Sequence, residues 1–357
     1  MSPILLNPGP VTLSDGVRRA AVAEDLCHRE PEFTRIQEAV LNGLVAVYDC
    51  DPAEWQSIAL GGSGTVAMEA MVASLLPANG ALLVLENGVY GERLSSIADI
   101  HGIENASVRA EWGAPIDLAA VEATLASGNF SHLAMVHHET TTGRLNPLAP
   151  VADLCQRHGV GLLLDAVSGF GAEEIPFEHP ALVACAATAN KCLHGIPGLA
   201  FVLCHAGSTE LGAKRSLYLD LSTWRQKQAS GSTPFTPPVN AYQALRQALQ
   251  ELETQGGWRG RRARYLELAE SVREHLASLG VKPWLAAADS SSVLRSYKLP
   301  EGLSYAELHD RLKSAGFVIY EGQGGLSELM FRISTMGAIS DEDLGRLNSA
   351  LTRAVSG

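Results

Sequence analysis

The sequence predicts an α/β fold, with a large, mainly parallel sheet covered by helices and a smaller α+β unit following it. Three observations carry that expectation. Between residues 58 and 205 short apolar runs alternate with helical patterns, and parallel neighbours need such crossover helices. The runs are apolar without interruption, as strands buried on both faces are. Beyond Pro237-Pro238 the composition shifts to long helix-prone stretches, then to shorter pieces of both kinds.

Taken in order, Ala81–Leu85, His132–Val136 and Val160–Leu164 read as strands, with helical patterns from Pro115 to Leu125 and from Pro150 to His158 between them. The runs Val183 to Ala189 and Leu199 to Cys204 extend the set. A long helix is expected from Val239, broken at Gly256-Gly257 and resumed from Trp258 to about Leu279. The last part alternates strand-like pieces at Ser292–Lys298, Phe317–Tyr320 and Leu329–Ile333 with helices at Ser304–Ala315 and Asp341–Val355. No internal repeat or low-complexity linker interrupts the chain, so the two parts are expected to pack tightly.

Composition narrows the partners. The 357 residues are 46% hydrophobic and 18% charged, enough to build a large core without disulfides or metals. A net charge of -12, from 39 acidic and 27 basic residues, argues against a nucleic-acid or anionic-membrane partner. The six cysteines form no CxxC pair and read as free thiols. The start Met-Ser-Pro-Ile-Leu-Leu-Asn-Pro-Gly-Pro lacks a basic segment and breaks its apolar run early, so a cytoplasmic location is the expectation.

Three local features carry chemistry. Lys191 lies in Ala189-Asn190-Lys191-Cys192-Leu193-His194-Gly195, flanked by small and apolar residues. Lost hydration there would lower its pKa and free a neutral amine for a Schiff base, whereas a surface lysine reaching water is the plainer alternative. Asp165 ends the apolar run Leu162-Leu163-Leu164, where α/β sheets present ligand-binding groups. It could keep a pyridine nitrogen protonated, or merely cap a turn. Gly61-Gly62-Ser63-Gly64-Thr65 follows a strand and opens an Ala- and Met-rich helix, an arrangement suited to phosphate; a plain strand-to-helix turn is the alternative. It is neither a Walker loop nor GxGxxG.

In this order, Gly-Ser-Gly-Thr, Asp165-Ala166-Val167-Ser168 and Asn190-Lys191 resemble the class V, fold-type I aminotransferases that use pyridoxal 5′-phosphate. The resemblance implies that fold, with a large cofactor-binding domain over 15–245 and a small domain formed by 1–14 and 246–357. It implies Lys191 and Asp165 as catalytic residues and cofactor contacts from Ser63, Gly64, Thr65, Asn190 and Tyr90. Tyr90 would stack on the pyridine, Thr140 or Thr141 would approach its phenolic oxygen, and Thr236 would reach the phosphate of a neighbouring subunit, hence a homodimer. Arg332, in Met330-Phe331-Arg332-Ile333, matches the arginine that grips a substrate carboxylate.

Within the class, Leu5–Pro10, His138–Pro147, Arg215–Asp220 and Phe235–Pro238 are most similar to the phosphonate transaminases. This implies 2-aminoethylphosphonate as donor, pyruvate as acceptor, and phosphonoacetaldehyde and L-alanine as products. Tyr320-Glu321-Gly322-Gln323-Gly324-Gly325 departs from their Pro-Gly-Lys element, and Ala186-Ala187-Thr188-Ala189 from their serines. A class V transaminase of alanine, serine or aspartate, or a non-catalytic protein that binds the same cofactor, stays open. A cysteine desulfurase would need a nucleophilic cysteine on a loop of the C-terminal half, whereas the last cysteine, Cys204, ends the apolar run Leu199 to Cys204.

Overall fold

The computed structural model describes residues 3–356. Seven strands form the main sheet: β1 (Trp55–Gly62), β2 (Leu82–Glu86), β3 (Asn105–Arg109), β4 (His132–Val136), β5 (Gly161–Asp165), β6 (Leu182–Thr188) and β7 (Gly198–His205). Their order is β1-β7-β6-β5-β4-β2-β3. Only β7 runs against its neighbours, pairing antiparallel with both β1 and β6.

The uninterrupted apolar runs follow from this geometry. Successive strand side chains point to opposite faces, and both faces are cores here. Leu83, Leu85, Leu133, Met135, Leu162 and Leu164 enter one cluster, and Leu82, Val84, Ala134, Val136 and Leu163 enter the other. The helix Gly64–Leu75 shows the same logic, being buried along nearly its whole length rather than along one stripe. Because β1, β2, β4, β5 and β6 run the same way, their C-terminal ends share one edge of the sheet. Open α/β sheets bind ligands at that edge.

The C-terminal part holds a three-stranded antiparallel sheet, with Met330–Ser334 between Leu294–Lys298 and Tyr320–Glu321. The helices Gly257–Ser278, Tyr305–Ser314 and Asp341–Ser356 cover a third core. Gly256 and Gly257, both at positive φ, break the long helix where the sequence places the break.

The segment Phe317–Tyr320 differs from expectation. Rather than one strand it makes two short ones, because buried Ile319 turns inward between them. Phe317–Val318 pairs in parallel with Ile4–Leu5, and Tyr320–Glu321 pairs with Arg332 and Phe331. The N-terminal strand was not foreseen, and it carries the following Asn7–Pro10 loop to the sheet edge. Among the described residues no helix is long and apolar enough to cross a membrane.

Candidate active site

At the C-terminal edge of the sheet lies a cavity of about 190 Å³ lined by the phosphate-type turn, the end of β5 and the lysine segment. Gly62 adopts φ +147, and a Cβ on Gly64 would stand 2.6 Å from Val167, so the turn can take only glycine at these points. Ser63 is the N-cap of the helix Gly64–Leu75, yet its hydroxyl caps no backbone N–H. The first amides of that helix and the Ser63 and Thr65 hydroxyls thus face the cavity as donors, with the positive end of the helix dipole behind them.

Opposite this turn stand Lys191 and Asp165. Lys191 leaves the turn after β6, and Asn190 Oδ1 beside it accepts from Thr188 Oγ1 at 2.9 Å. The Nζ donates to the Pro8 carbonyl, and its stem lies so close to Gly9 (φ +104) that a Cβ there would approach it to 2.7 Å. Burial lowers the ammonium pKa to about 8, a shift that Cys192 and Asp165 partly oppose. For Asp165, burial raises the carboxyl to about 7; the Val167 N–H at 2.9 Å, Arg93 and Lys191 pull it down, and Glu139 pushes it up. The pair therefore offers one amine and one carboxyl that both exchange protons near neutrality.

Tyr90 and Thr140 line the same cavity. Thr141 does not: its hydroxyl donates to Glu139 Oε1 at 2.6 Å and accepts from the Val89 N–H at 3.1 Å, so of the two threonines only Thr140 is presented to a ligand. Sequence reasoning missed Arg93, whose guanidinium lies 4.6 Å from the Tyr90 ring centroid and donates to Thr65 Oγ1 at 3.2 Å. Its spacing of three from Tyr90 on a helix was the available signal. His138 also lines the cavity; its Nε2 lies 2.8 Å from Ser291 Oγ, and burial pushes its pKa down to about 3, so it is neutral.

Arg332 is buried beside a second, more open cavity of about 500 Å³ that also contains Tyr305 and Gln323. Its Nε donates to the Glu321 carbonyl at 2.8 Å and its Nη1 to the Thr140 carbonyl at 2.7 Å. Among the described residues no carboxylate forms a salt bridge with it. Two neutral acceptors orient the fork without neutralising it, which leaves Nη2 for an anion.

Thr236 is exposed and does not line the cavity of its own chain. Around it, Phe235 stacks on the exposed Tyr218 at 5.0 Å, and exposed Leu217 adjoins them.

The family described as aminotransferase class-V matches residues 47–339. A 2-aminoethylphosphonate–pyruvate transaminase of Bacillus cereus is 34% identical over 359 residues, covering 98% of this chain and 97% of the relative. The same-named protein of Bacillus mycoides is 34% identical over 361 residues, at 99% and 98% coverage. Among solved structures, an aspartate aminotransferase of Thermus thermophilus superposes with a TM-score of 0.91 at 26% identity, covering 99% of both chains. An alanine–glyoxylate aminotransferase of Nostoc gives 0.91 and 26%, covering 99% of this chain and 96% of that one.

Proposed function

The chain belongs to the class-V aminotransferases, and from that premise we propose that it moves the amino group of 2-aminoethylphosphonate to pyruvate, giving phosphonoacetaldehyde and L-alanine. The family's cofactor is pyridoxal phosphate, and the residues present fit it. The glycine-only turn, with an uncapped helix start and two hydroxyls, suits a phosphate, and a half-buried lysine and a buried carboxyl stand across one small cavity from it. When bound, the cofactor supplies a carbonyl carbon for the amine and a ring that accepts the electron pair released at the substrate carbon.

The chain's own residues would divide the rest of the work. Ser63, Gly64 and Thr65 hold the phosphate, and Asn190 sits beside the lysine they face. Tyr90 presents a ring face and Thr140 a hydroxyl. Asp165, whose carboxyl burial raises to about 7, holds a proton where a ring nitrogen needs one. Lys191 Nζ, with its pKa near 8, carries a proton to and from the substrate carbon. Arg332 Nη2 takes the carboxylate of pyruvate in one half-reaction and the phosphonate of the donor in the other.

The exposed Thr236 with its apolar neighbours supports a homodimer in which Thr236 reaches the partner subunit's cofactor phosphate. The observation that carries the whole reading is the opposition of Lys191 and Asp165 within one cavity at a helix start. The test is single-turnover spectroscopy of the cofactor-loaded protein. 2-Aminoethylphosphonate should abolish the visible absorbance and pyruvate should restore it. Loss of absorbance with L-alanine or L-aspartate but none with the phosphonate would assign the donor to the amino acids, as for the aminotransferases named among the structural neighbours.

A further inference from the structure

Glu139 is a fully buried carboxylate that the proposed chemistry does not use. Among the described residues no cation pairs with it, yet it is well satisfied. Oε1 accepts from the Thr141 N–H at 3.1 Å and from Thr141 Oγ1 at 2.6 Å, and Oε2 accepts from the Tyr90 N–H at 3.2 Å. The Gly91 N–H adds a further donor. The amides of Tyr90 and Gly91 belong to the first turn of the helix Val89–Ile100, whose own N-cap, Gly88, has no side chain to offer. Glu139 therefore caps that helix from another element; burial raises its pKa, and the Thr141, Tyr90 and Gly91 donors at the positive end of the dipole oppose that shift and favour the carboxylate.

Gly88 is shaped for this contact, since a Cβ there would stand 2.3 Å from the Glu139 carboxyl carbon. On its other side, Glu139 precedes Thr140, whose carbonyl holds Arg332 Nη1. One carboxylate thus ties together the ring of Tyr90, the hydroxyl of Thr140 and the fork of Arg332. It is also the neighbouring charge that raises the Asp165 carboxyl.

We propose that Glu139 is a positioning residue, fixing Tyr90 and Thr140 relative to each other across the cofactor cavity and, through the Thr140 carbonyl, aiming Arg332. The proposal rests on the pyridoxal-phosphate reading of that cavity. Glu139→Gln keeps the shape but sets an amide NH₂ against N–H donors, and Gly88→Ala keeps the carboxylate but displaces it. Both full-length variants should bind pyridoxal phosphate about tenfold more weakly than wild type, as the loss of hydrogen bonds to a charged acceptor implies.

Both should also show a reduced visible circular dichroism per bound cofactor, which reports how the ring is held, and a raised KM for pyruvate. If both variants keep wild-type cofactor affinity and dichroism while only the melting temperature of the cofactor-free protein falls, Glu139 is a folding element and the proposal is overturned. A wild-type protein that never takes up pyridoxal phosphate would instead overturn the underlying reading, so the two failures are distinct.

Discussion

The proposed cofactor side and the proposed substrate side of this site are built differently. Lys191, Asp165 and the Ser63–Thr65 turn hang from strand ends of a sheet whose two faces are both cores, and close backbone approaches at Gly9, Gly62 and Gly64 leave them little freedom. Arg332 sits in the small C-terminal sheet, next to exposed Tyr320 and Glu321 and the Gly-rich turn that follows. Rigid burial tunes proton affinity, which amino transfer needs whatever its substrates. An open, glycine-rich rim is where substrate choice can differ between relatives that share one cofactor.

The largest expected effect belongs to the rigid side. Lys191→Ala should lower turnover by at least about 10⁴-fold, since it removes both the nucleophilic amine and the proton carrier. Borohydride reduction of the loaded wild type should then label the Lys191 peptide alone. Label on another lysine would break the comparison at its base.

Asp165→Asn should cost roughly 10²–10⁴-fold in turnover while cofactor still binds. The same variant has a stability signature without cofactor. The folded-state carboxyl titrates near 7 against 3.8 unfolded, so the native state binds the extra proton between those values. The group's stabilising contribution is complete below about pH 4 and is lost as pH climbs through 7. Cofactor-free Asp165→Asn should therefore match wild type at acid pH and exceed it above pH 7, by about 4 kcal/mol. Equal denaturation midpoints at pH 8 would show that Asp165 is not strained by burial.

Much of the rigid side was legible because local rules there agree with the tertiary structure. The apolar run ending in Asp165 and the glycine turn opening a helix are short-range patterns that burial reinforces. What escaped was long-range. The pairing of Ile4–Leu5 with Phe317–Val318 leaves no periodic trace in two-residue strands. The choice between Thr140 and Thr141 depends on where the Glu139 carboxylate lies, and Arg93 gains meaning only once Tyr90 and Thr65 flank it. Arg332 was visible as a charge in an apolar strand, but its anchoring by two carbonyls was not.

On the substrate side, Arg332→Lys replaces a planar fork by a point charge that cannot span the Glu321 and Thr140 carbonyls and still serve an anion. A charged hydrogen bond is worth about 1.5–3 kcal/mol, so kcat/KM should fall roughly 10- to 150-fold in both half-reactions. Cofactor spectra should stay unchanged, which separates this variant from those at Asp165. A loss confined to one half-reaction would mean that the two substrates place their anionic groups on different residues.

The smallest effect should come from Gln323. Its Oε1 is enclosed without a hydrogen-bond partner, although the cavity it shares with Arg332 is open. The turn is held by its backbone, with the Gly322 N–H on the Met330 carbonyl at 3.0 Å and the Leu326 N–H on the Gln323 carbonyl at 3.0 Å, so the side chain can change without moving the loop. Gln323→Lys would bring a second cation toward Arg332. A dianionic phosphonate gains more from that than a monoanionic carboxylate, and screening in an open cavity keeps the gain near that of an exposed ion pair, about 0.2–1 kcal/mol. The KM for 2-aminoethylphosphonate should thus fall by up to about fivefold, with little change in that for pyruvate. Equal shifts for the two substrates would show that the rim does not discriminate between them.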